Sequence, residues 1–167
     1  MDQKKQTFPI DNLNEKVDAV YRHGTLQERY SNIPQDYGMG FVLTESESHT
    51  LGYVCQWGEA TVTELAEFSF RTKGAISKIL KKLEEKELVQ REQKEDNRKW
   101  VYFTPTPKGY QANDVHKAYD QWATSRMIEA LLENCAMEDV ESFYRVTQLR
   151  VAYMAKTHPR ESIRVHK

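Results

Sequence analysis

The chain has 167 residues, with 24 lysines and arginines against 25 aspartates and glutamates, so its formal net charge is −1 at pH 7. This length supports a real hydrophobic core, and the near-zero charge excludes a uniformly basic surface but not a local cationic patch. No stretch approaches the ~20 apolar residues that cross a bilayer, and the first thirty residues have no apolar core of the secretory-signal kind. We therefore expect a cytoplasmic protein without membrane partners.

Two helices are predicted in the amino-terminal third. Apolar residues recur at helical spacing from about Asp11 to Tyr30, which predicts a first helix. A loop containing Pro34 and Gly38 follows. Residues 45–57 favour a second helix that carries His49, Tyr53 and Cys55.

A pair of short helices is predicted next. Thr61 is followed three places later by Glu64, the reciprocal pairing that caps a helix start, and Thr72 is the next plausible cap. The helix after Thr72 should run from Lys73 to about Lys86. One face of this helix is apolar, formed by Ile76, Ile79, Leu80 and Leu83. The opposite face carries small and cationic residues, Gly74, Ser77, Lys78 and Lys81. Such a face suits contact with a DNA major groove, and it is equally typical of an ordinary solvent-exposed helix face.

A β-hairpin is predicted after these helices. Leu88–Arg91 favours a strand, residues 93–99 a charged tip, and Trp100–Phe103 a second strand. Residues 71–99 hold ten Lys or Arg against six Asp or Glu, a local excess of four positive charges. Such an excess beside a cationic helix is typical of a duplex-binding surface.

Two long helices are predicted to complete the chain. Thr106 and Pro107 form a cap and first-turn proline for a helix that reaches about Asn134, and a last helix runs from about Glu138 to Thr157. The last helix is apolar over more of its circumference than a monomer surface requires. We expect a second subunit to cover it in a two-fold dimer; the alternative is an intrachain core.

These motifs resemble the MarR family of winged-helix transcriptional regulators. The resemblance is carried by Thr-Val-Thr-Glu-Leu-Ala at 61–66, Thr-Lys-Gly-Ala-Ile-Ser-Lys at 72–78, Lys-Lys-Leu-Glu at 81–84, Asp-Asn-Arg at 96–98 and Thr-Pro-Lys-Gly at 106–109. It implies a mainly α fold with a small β-hairpin wing, a winged helix-turn-helix with long amino- and carboxy-terminal dimerisation helices. The corresponding division is 1–44 for the amino-terminal dimerisation helix and loop, 45–105 for the DNA-binding region and 106–167 for the carboxy-terminal dimerisation helices.

The function expected from this resemblance is a homodimeric, sequence-specific regulator that binds a palindromic operator in double-stranded DNA, as a ligand-responsive repressor. The predicted DNA contacts are Arg71, Thr72, Lys73, Ser77, Lys78 and Lys81 from the helix and Asn97, Arg98 and Lys99 from the wing. By the same resemblance Asp96 orients the wing loop.

The chain departs from the family pattern at two turns. Glu87 stands where the family often has a glycine in the left-handed conformation, which predicts a changed turn or local strain. Arg71 occupies a usually apolar place before the cap, so Phe70 is interpreted as the core contact and Arg71 gains a route to phosphate.

Two effector sites are open alternatives. An organic ligand would lie in a crevice lined by His49, Tyr53, Trp57, Tyr110 and His116. A zinc ion would be held by His49, His116 and Asp120, since imidazoles and a carboxylate suit Zn²⁺. The two histidines are similar in position to ligands of zinc-sensing family members, although Ser48 stands where those members have a glutamate and the preceding loop offers no cysteine. A purely structural histidine pair is the third possibility.

Other functional classes are less well supported by the sequence. The chain has no glycine-rich phosphate loop, no Cys-x-x-Cys pair and no hydrolase signature, so we expect no enzymatic activity. A winged helix that binds protein instead of DNA stays as an alternative. Cys55 and Cys135 are interpreted as buried small hydrophobes, with redox sensing as the alternative.

Overall fold

The computed structural model describes residues 10–93 and 100–157, and these fall into two compact units that meet in the chain after Lys117. Each unit is described by itself. No helix among these residues is long and apolar enough to cross a membrane. The predicted mainly α fold with a small sheet is confirmed, while the three-part division of the chain stays a prediction.

The helices lie close to their predicted positions. They are α1 Leu13–Ser31, α2 Glu45–Trp57, α3 Val62–Phe68, α4 Lys73–Glu85, α5 Pro107–Leu131 and α6 Met137–Thr157. The largest difference is at the end of α5, three residues before the predicted boundary. The chain turns there with Cys135 Sγ donating to the Leu131 carbonyl at 3.2 Å.

Threonine caps fix the starts of three helices in the first unit. Thr44 with Glu47 and Thr61 with Glu64 each form a full capping box, in which hydroxyl and carboxylate satisfy each other's backbone amides. Thr72 caps α4 by accepting from the Ala75 amide at 3.1 Å. The caps at Thr61 and Thr72 are those that the sequence predicts.

A three-stranded antiparallel sheet stands beside the helices. Its order is β3 (Ala60–Thr61), β5 (Tyr102–Pro105), β4 (Val89–Glu92). The predicted second strand lies two residues too early, because Pro105 pairs with Val89 and Tyr102 with Glu92. The strand β3 and the small pair β1 (Gln35–Asp36) and β2 (Val42–Leu43) were not predicted, since two-residue strands leave no periodic pattern.

The core of the first unit joins α2, α3, α4 and the sheet. Its fully buried side chains are Leu51, Val54, Leu65, Ile76, Leu80, Leu83 and Leu88. The start of α5 closes the core at Gly109, where a β-carbon would overlap the carbonyl oxygen of Leu88. Backbone therefore packs on backbone at this point, and only glycine fits.

The second unit contains the last part of α5 and α6. Among the described residues of α6 only Val140 is buried. Exposed apolar residues include Phe143, Val146, Leu149, Val151, Tyr153 and Met154. An apolar surface of this extent on one helix is unusual for a monomer.

Two turns on either side of α4 are left-handed at residues other than glycine. Glu87 has φ of 60° after α4, and Phe70 has φ of 54° between α3 and α4. The predicted strain at Glu87 is therefore confirmed. The interpretation of Phe70 as a core contact is wrong, because its side chain is 63% exposed; the left-handed backbone turns it out of the core.

Candidate nucleic-acid interface

The helix-turn-helix of α3 and α4 presents one face of α4 to solvent. Ile76, Leu80 and Leu83 are buried against the rest of the first unit, and this fixes which side of α4 points outward. We call α4 the recognition helix from here on. The exposed side chains of its first three turns are Lys73, Ser77, Lys78 and Lys81, and Lys82, Glu84 and Glu85 are exposed further along the helix.

These outward residues form a cationic surface with short side chains among the lysines. Lys81 has an acidic neighbour, Glu85, at 3.8 Å, and this pair is exposed, so it neutralises little of the charge. Gly74, near the helix start, has open space beyond its Cα. A duplex could therefore approach the amino-terminal half of the recognition helix closely.

Arg71 and Thr72 are already engaged within the chain. Arg71 Nη2 donates to Ser46 Oγ at 2.8 Å, and the Thr72 hydroxyl caps the recognition helix. Both side chains remain exposed. Contact with DNA at Arg71 would therefore exchange one partner for another, whereas contact at Thr72 must leave its cap in place.

A cleft of about 450 Å³ separates the recognition helix from the sheet. Ser77, Lys81 and Glu84 line it from the helix, and Arg91 lines it from β4; Val62, Val101 and Phe103 complete the lining. Arg91 adds a cation to this side of the molecule. Arg91 was not among the predicted DNA contacts, because the outward direction of a strand residue depends on the strand register.

The wing consists of β4 and β5 with the tip between them. Asp96, Asn97, Arg98 and Lys99 lie outside the described residues, so the predicted wing contacts stay predictions. The described strands lead toward the tip from Glu92 and return through Tyr102, which pair with each other.

Glu47 binds the carboxy-terminal half of the recognition helix. Its Oε1 lies 2.9 Å from Lys82 Nζ and its Oε2 lies 2.9 Å from Lys86 Nζ. Burial by itself raises the pKa of the carboxyl, but hydrogen bonds from Lys82, Lys86 and the Thr44 amide, with the charge of Lys86, outweigh it and hold the pKa below its ordinary value. Glu47 is more than thirty positions from both lysines in the sequence, so no local pattern marks this contact.

The histidines predicted for an effector site meet at α2 and α5. The rings of His49 and His116 are 5.2 Å apart, edge to face, and Tyr37 contacts His116 from the other direction at 5.3 Å. His116 is buried and His49 is exposed. Asp120 follows His116 by one turn of the same helix, so both project from one side of it.

Two of the aromatic residues predicted for the same site, Tyr53 and Trp57, form a cluster with Phe68. Tyr53 stacks on Trp57 at 6.0 Å, and Phe68 contacts both rings edge-on at 4.9 and 5.1 Å. Phe68 was not predicted. Tyr110 is exposed at the start of α5. The organic-ligand crevice therefore stays a prediction.

The two cysteines differ from the buried residues that were expected. Both are free and half-buried. Burial raises the pKa of the Cys55 thiol to about 11, and its sulfur lies 3.9 Å from the Gly109 carbonyl. Thiolate chemistry at Cys55 is therefore disfavoured.

Comparison with known sequences identifies the domain that carries the recognition helix. Residues 43–101 match the MarR family profile. The chain is 34% identical over 103 residues to the uncharacterized HTH-type transcriptional regulator YhjH of Bacillus subtilis strain 168, a match that covers 62% of this chain and 59% of YhjH. The matched part thus spans less than two thirds of that relative's length.

Comparison with solved structures confirms the fold. Streptococcus pneumoniae FabT, solved in complex with DNA, is similar at a TM-score of 0.58 with 18% identity, covering 86% of this chain and 96% of FabT. Lactococcus lactis ZitR, described as a zinc-responsive MarR family member, is similar at a TM-score of 0.60 with 20% identity, covering 84% and 97% of the two chains. At these identities the likeness establishes a shared architecture.

Proposed function

This chain belongs to the MarR family through its domain at residues 43–101, and from that premise we propose that it is a homodimeric transcriptional regulator that binds double-stranded DNA at specific sequences. The observation that carries the proposal is the outward face of the recognition helix, where Lys73, Lys78 and Lys81 surround Ser77. MarR proteins are transcription regulators and not enzymes, so the enzyme alternative is discarded.

The outward face supplies the two kinds of contact that duplex recognition requires. Lysines neutralise phosphates and give an affinity that falls with salt, whereas short polar side chains reach base edges. In this proposal Lys73, Lys78 and Lys81 position the protein and Ser77 reads sequence. Arg91 adds a phosphate contact beside the wing.

The exposed apolar surface of α6 supports the homodimer. Eight large apolar side chains of one helix face solvent in the single chain, and covering such residues is the main favourable term in association. A two-fold dimer would present two recognition helices to successive turns of a palindromic operator.

An organic effector is the first form of regulation that we propose. The cluster of Tyr53, Trp57 and Phe68 offers aromatic surfaces beside the helix-turn-helix, and an apolar ligand with an aromatic ring would stack there. Binding that favours one spacing of the two recognition helices would change operator affinity. Repression follows if the operator overlaps a promoter.

Zinc binding is a second candidate, favoured by the contact between His49 and His116. Both imidazoles, with Asp120 one turn beyond His116, would give two nitrogen ligands and one oxygen ligand, a donor set that fits Zn²⁺ and leaves room for water or a further ligand. Zinc when bound would supply a fixed link between α2 and α5. Elemental analysis of the purified protein should then give one zinc per subunit, lost in His116→Ala and kept in His23→Ala; a metal-free protein that melts higher with small aromatic acids excludes this candidate.

A salt titration of DNA binding tests the main proposal. Wild-type protein and Lys78→Ala are titrated onto one labelled duplex at several salt concentrations, with Lys117→Ala on α5 as the matched loss of one exposed lysine. Lys78→Ala should bind every duplex more weakly and reduce the slope of log K against log salt by about one, whereas Lys117→Ala should behave as wild type.

The outcome also separates the proposal from a protein-binding winged helix. Binding that is absent or insensitive to salt in the wild-type protein favours the protein-binding alternative. An unchanged slope in Lys78→Ala removes the recognition-helix face from the proposal.

A further inference from the structure

We propose that Glu47 is a positioning residue, which holds the recognition helix in the orientation that reads a specific DNA sequence. The inference rests on the DNA-binding function proposed above. Glu47 lies on α2 and is not one of the proposed DNA contacts, so its role in DNA binding would be indirect.

The Glu47 carboxylate is buried, and it binds two lysines at once. Glu47 is 3% exposed in the first turn of α2, and each of its carboxylate oxygens takes one lysine, Lys82 or Lys86, at 2.9 Å. Lys86 Nζ also donates to the Val42 carbonyl at 2.9 Å. We call Glu47, Lys82 and Lys86 the carboxylate clamp.

The clamp fixes the rotation of the recognition helix about its own axis. Lys82 and Lys86 are one helical turn apart, so one carboxylate holds the helix at two points along the same side. The buried stripe already sets which side of the recognition helix faces inward, but apolar packing is not directional and leaves small rotations open, whereas charge-assisted hydrogen bonds require one geometry. Rotation decides whether Ser77 and its neighbouring lysines face the groove together.

The residue before Glu47 holds the other end of the same helix. Ser46 accepts from Arg71, immediately before the capping residue Thr72, at 2.8 Å, while Glu47 binds the last turns. Two adjacent residues of α2 therefore contact both ends of the recognition helix. The first turn of α2 is itself fixed by the capping box of Thr44 and Glu47, so both contacts start from a rigid point.

Glu47→Gln breaks the clamp with little change in shape. The glutamine oxygen can still accept from one lysine, but its amide NH₂ must face the other, and donors do not pair. The variant has one negative charge fewer near the recognition helix. Non-specific attraction to DNA should therefore persist or increase while the orientation of the helix is lost.

The experiment compares specific with non-specific affinity. A high-affinity duplex is first selected from a random pool with the wild-type protein, and its affinity is divided by the affinity for a scrambled duplex of equal length. We expect this ratio to fall about tenfold in Glu47→Gln, comparable to the loss from one mismatched base pair, with the scrambled-duplex affinity equal or higher. Glu141→Gln on α6 also removes one negative charge, but at an exposed position, and it should keep the wild-type ratio.

Glu47→Asp keeps the charge but shortens the reach to both lysines at once. Glu47→Asp should also lower the ratio. If thermal melting shows that Glu47→Gln is unfolded at the assay temperature, Glu47→Asp replaces it in the test. A role in stability alone would lower the active fraction and reduce both affinities in proportion.

The outcomes separate the inference from its premise. A wild-type protein that binds no duplex in a salt-dependent way overturns the proposed function itself. If the wild-type protein is selective and the folded Glu47 variants keep its ratio, or lose both affinities equally, the positioning role is overturned and the function stands.

Discussion

The recognition helix and α6 are both amphipathic, but they satisfy their apolar faces in different ways. The recognition helix buries Ile76, Leu80 and Leu83 within its own unit, whereas α6 leaves residues such as Leu149 and Tyr153 in solvent. Packing within the first unit is therefore sufficient to hold the outward face of the recognition helix in position. The second unit has an unpaired surface, and this contrast indicates that folding and assembly depend on different helices.

The largest effect should come from breaking the core of the first unit at Gly109. Gly109→Ala places a β-carbon against the Leu88 carbonyl, so the backbone of α5 or of the turn must move, and we expect a loss of roughly 3 kcal/mol in the free energy of unfolding. Urea unfolding followed by circular dichroism measures it. Gly24→Ala is the matched control, since open space surrounds this helical glycine; it should stabilise by up to about 1 kcal/mol. Equal stability of the two variants would contradict the close packing.

A charge on α6 should affect assembly while sparing the fold. Leu149 is 63% exposed in the single chain, so Leu149→Glu costs little there, but burial of the new charge in a subunit interface is unfavourable. We expect the dimer dissociation constant to rise at least about tenfold, a typical change for a central interface residue. Sedimentation equilibrium measures this constant, with Arg150→Glu as the neighbouring control. A wild-type protein that is monomeric at all concentrations would refute the assignment of α6.

Acid should weaken the first unit through the carboxylate clamp. The folded-state pKa of Glu47 lies below the ordinary 4.5, so the stability from its ionised form is fully present above pH 4.5 and is lost as the pH falls through the lower folded value. Wild type should therefore exceed Glu47→Gln in free energy of unfolding by a constant amount near neutral pH, and the difference should shrink below pH 4.5. A difference that stays constant into acid would show that ionisation of Glu47 contributes nothing.

The smallest effect concerns the left-handed turn after the recognition helix. Glu87→Gly removes a left-handed strain of ~1–2 kcal/mol but adds the chain entropy of glycine, so a net gain of about 0.5 kcal/mol is expected. The lost ion pair with Lys108, at 3.1 Å, is exposed and offsets little. Chemical unfolding measures the gain, and Glu87→Ala, which keeps the strain, should not reproduce it.

The features that the sequence predicted are those with a local signal. The capping box of Thr61 and Glu64 and the apolar stripe of the recognition helix depend on residues three or four positions apart, so the pattern identifies them directly. The strain at Glu87 was also predicted, because it depends on a single position, where the family pattern often has glycine and this chain has glutamate. The lysines proposed for DNA were selected on the same helical periodicity.

The features that were missed depend on tertiary contact. Glu47 and Lys86 are separated by 39 positions, and nothing in their spacing marks them as partners. Phe70 was assigned to the core because its neighbour Arg71 occupies the usually apolar place before the cap, but the left-handed backbone at Phe70 turns its side chain outward. The strand β3 has two residues and exists because β5 lies beside it, so its pairing cannot be recognised from one segment.

The raised pKa of Cys55 bears on whether this side chain can act as an oxidant sensor. At a thiol pKa of about 11, on the order of one molecule in ten thousand carries the thiolate at pH 7, and peroxides react with thiolates. Oxidation of the Cys55 thiol by peroxides would therefore be slow. A response to oxidant stress, if the cell shows one, has to enter through another residue or another protein.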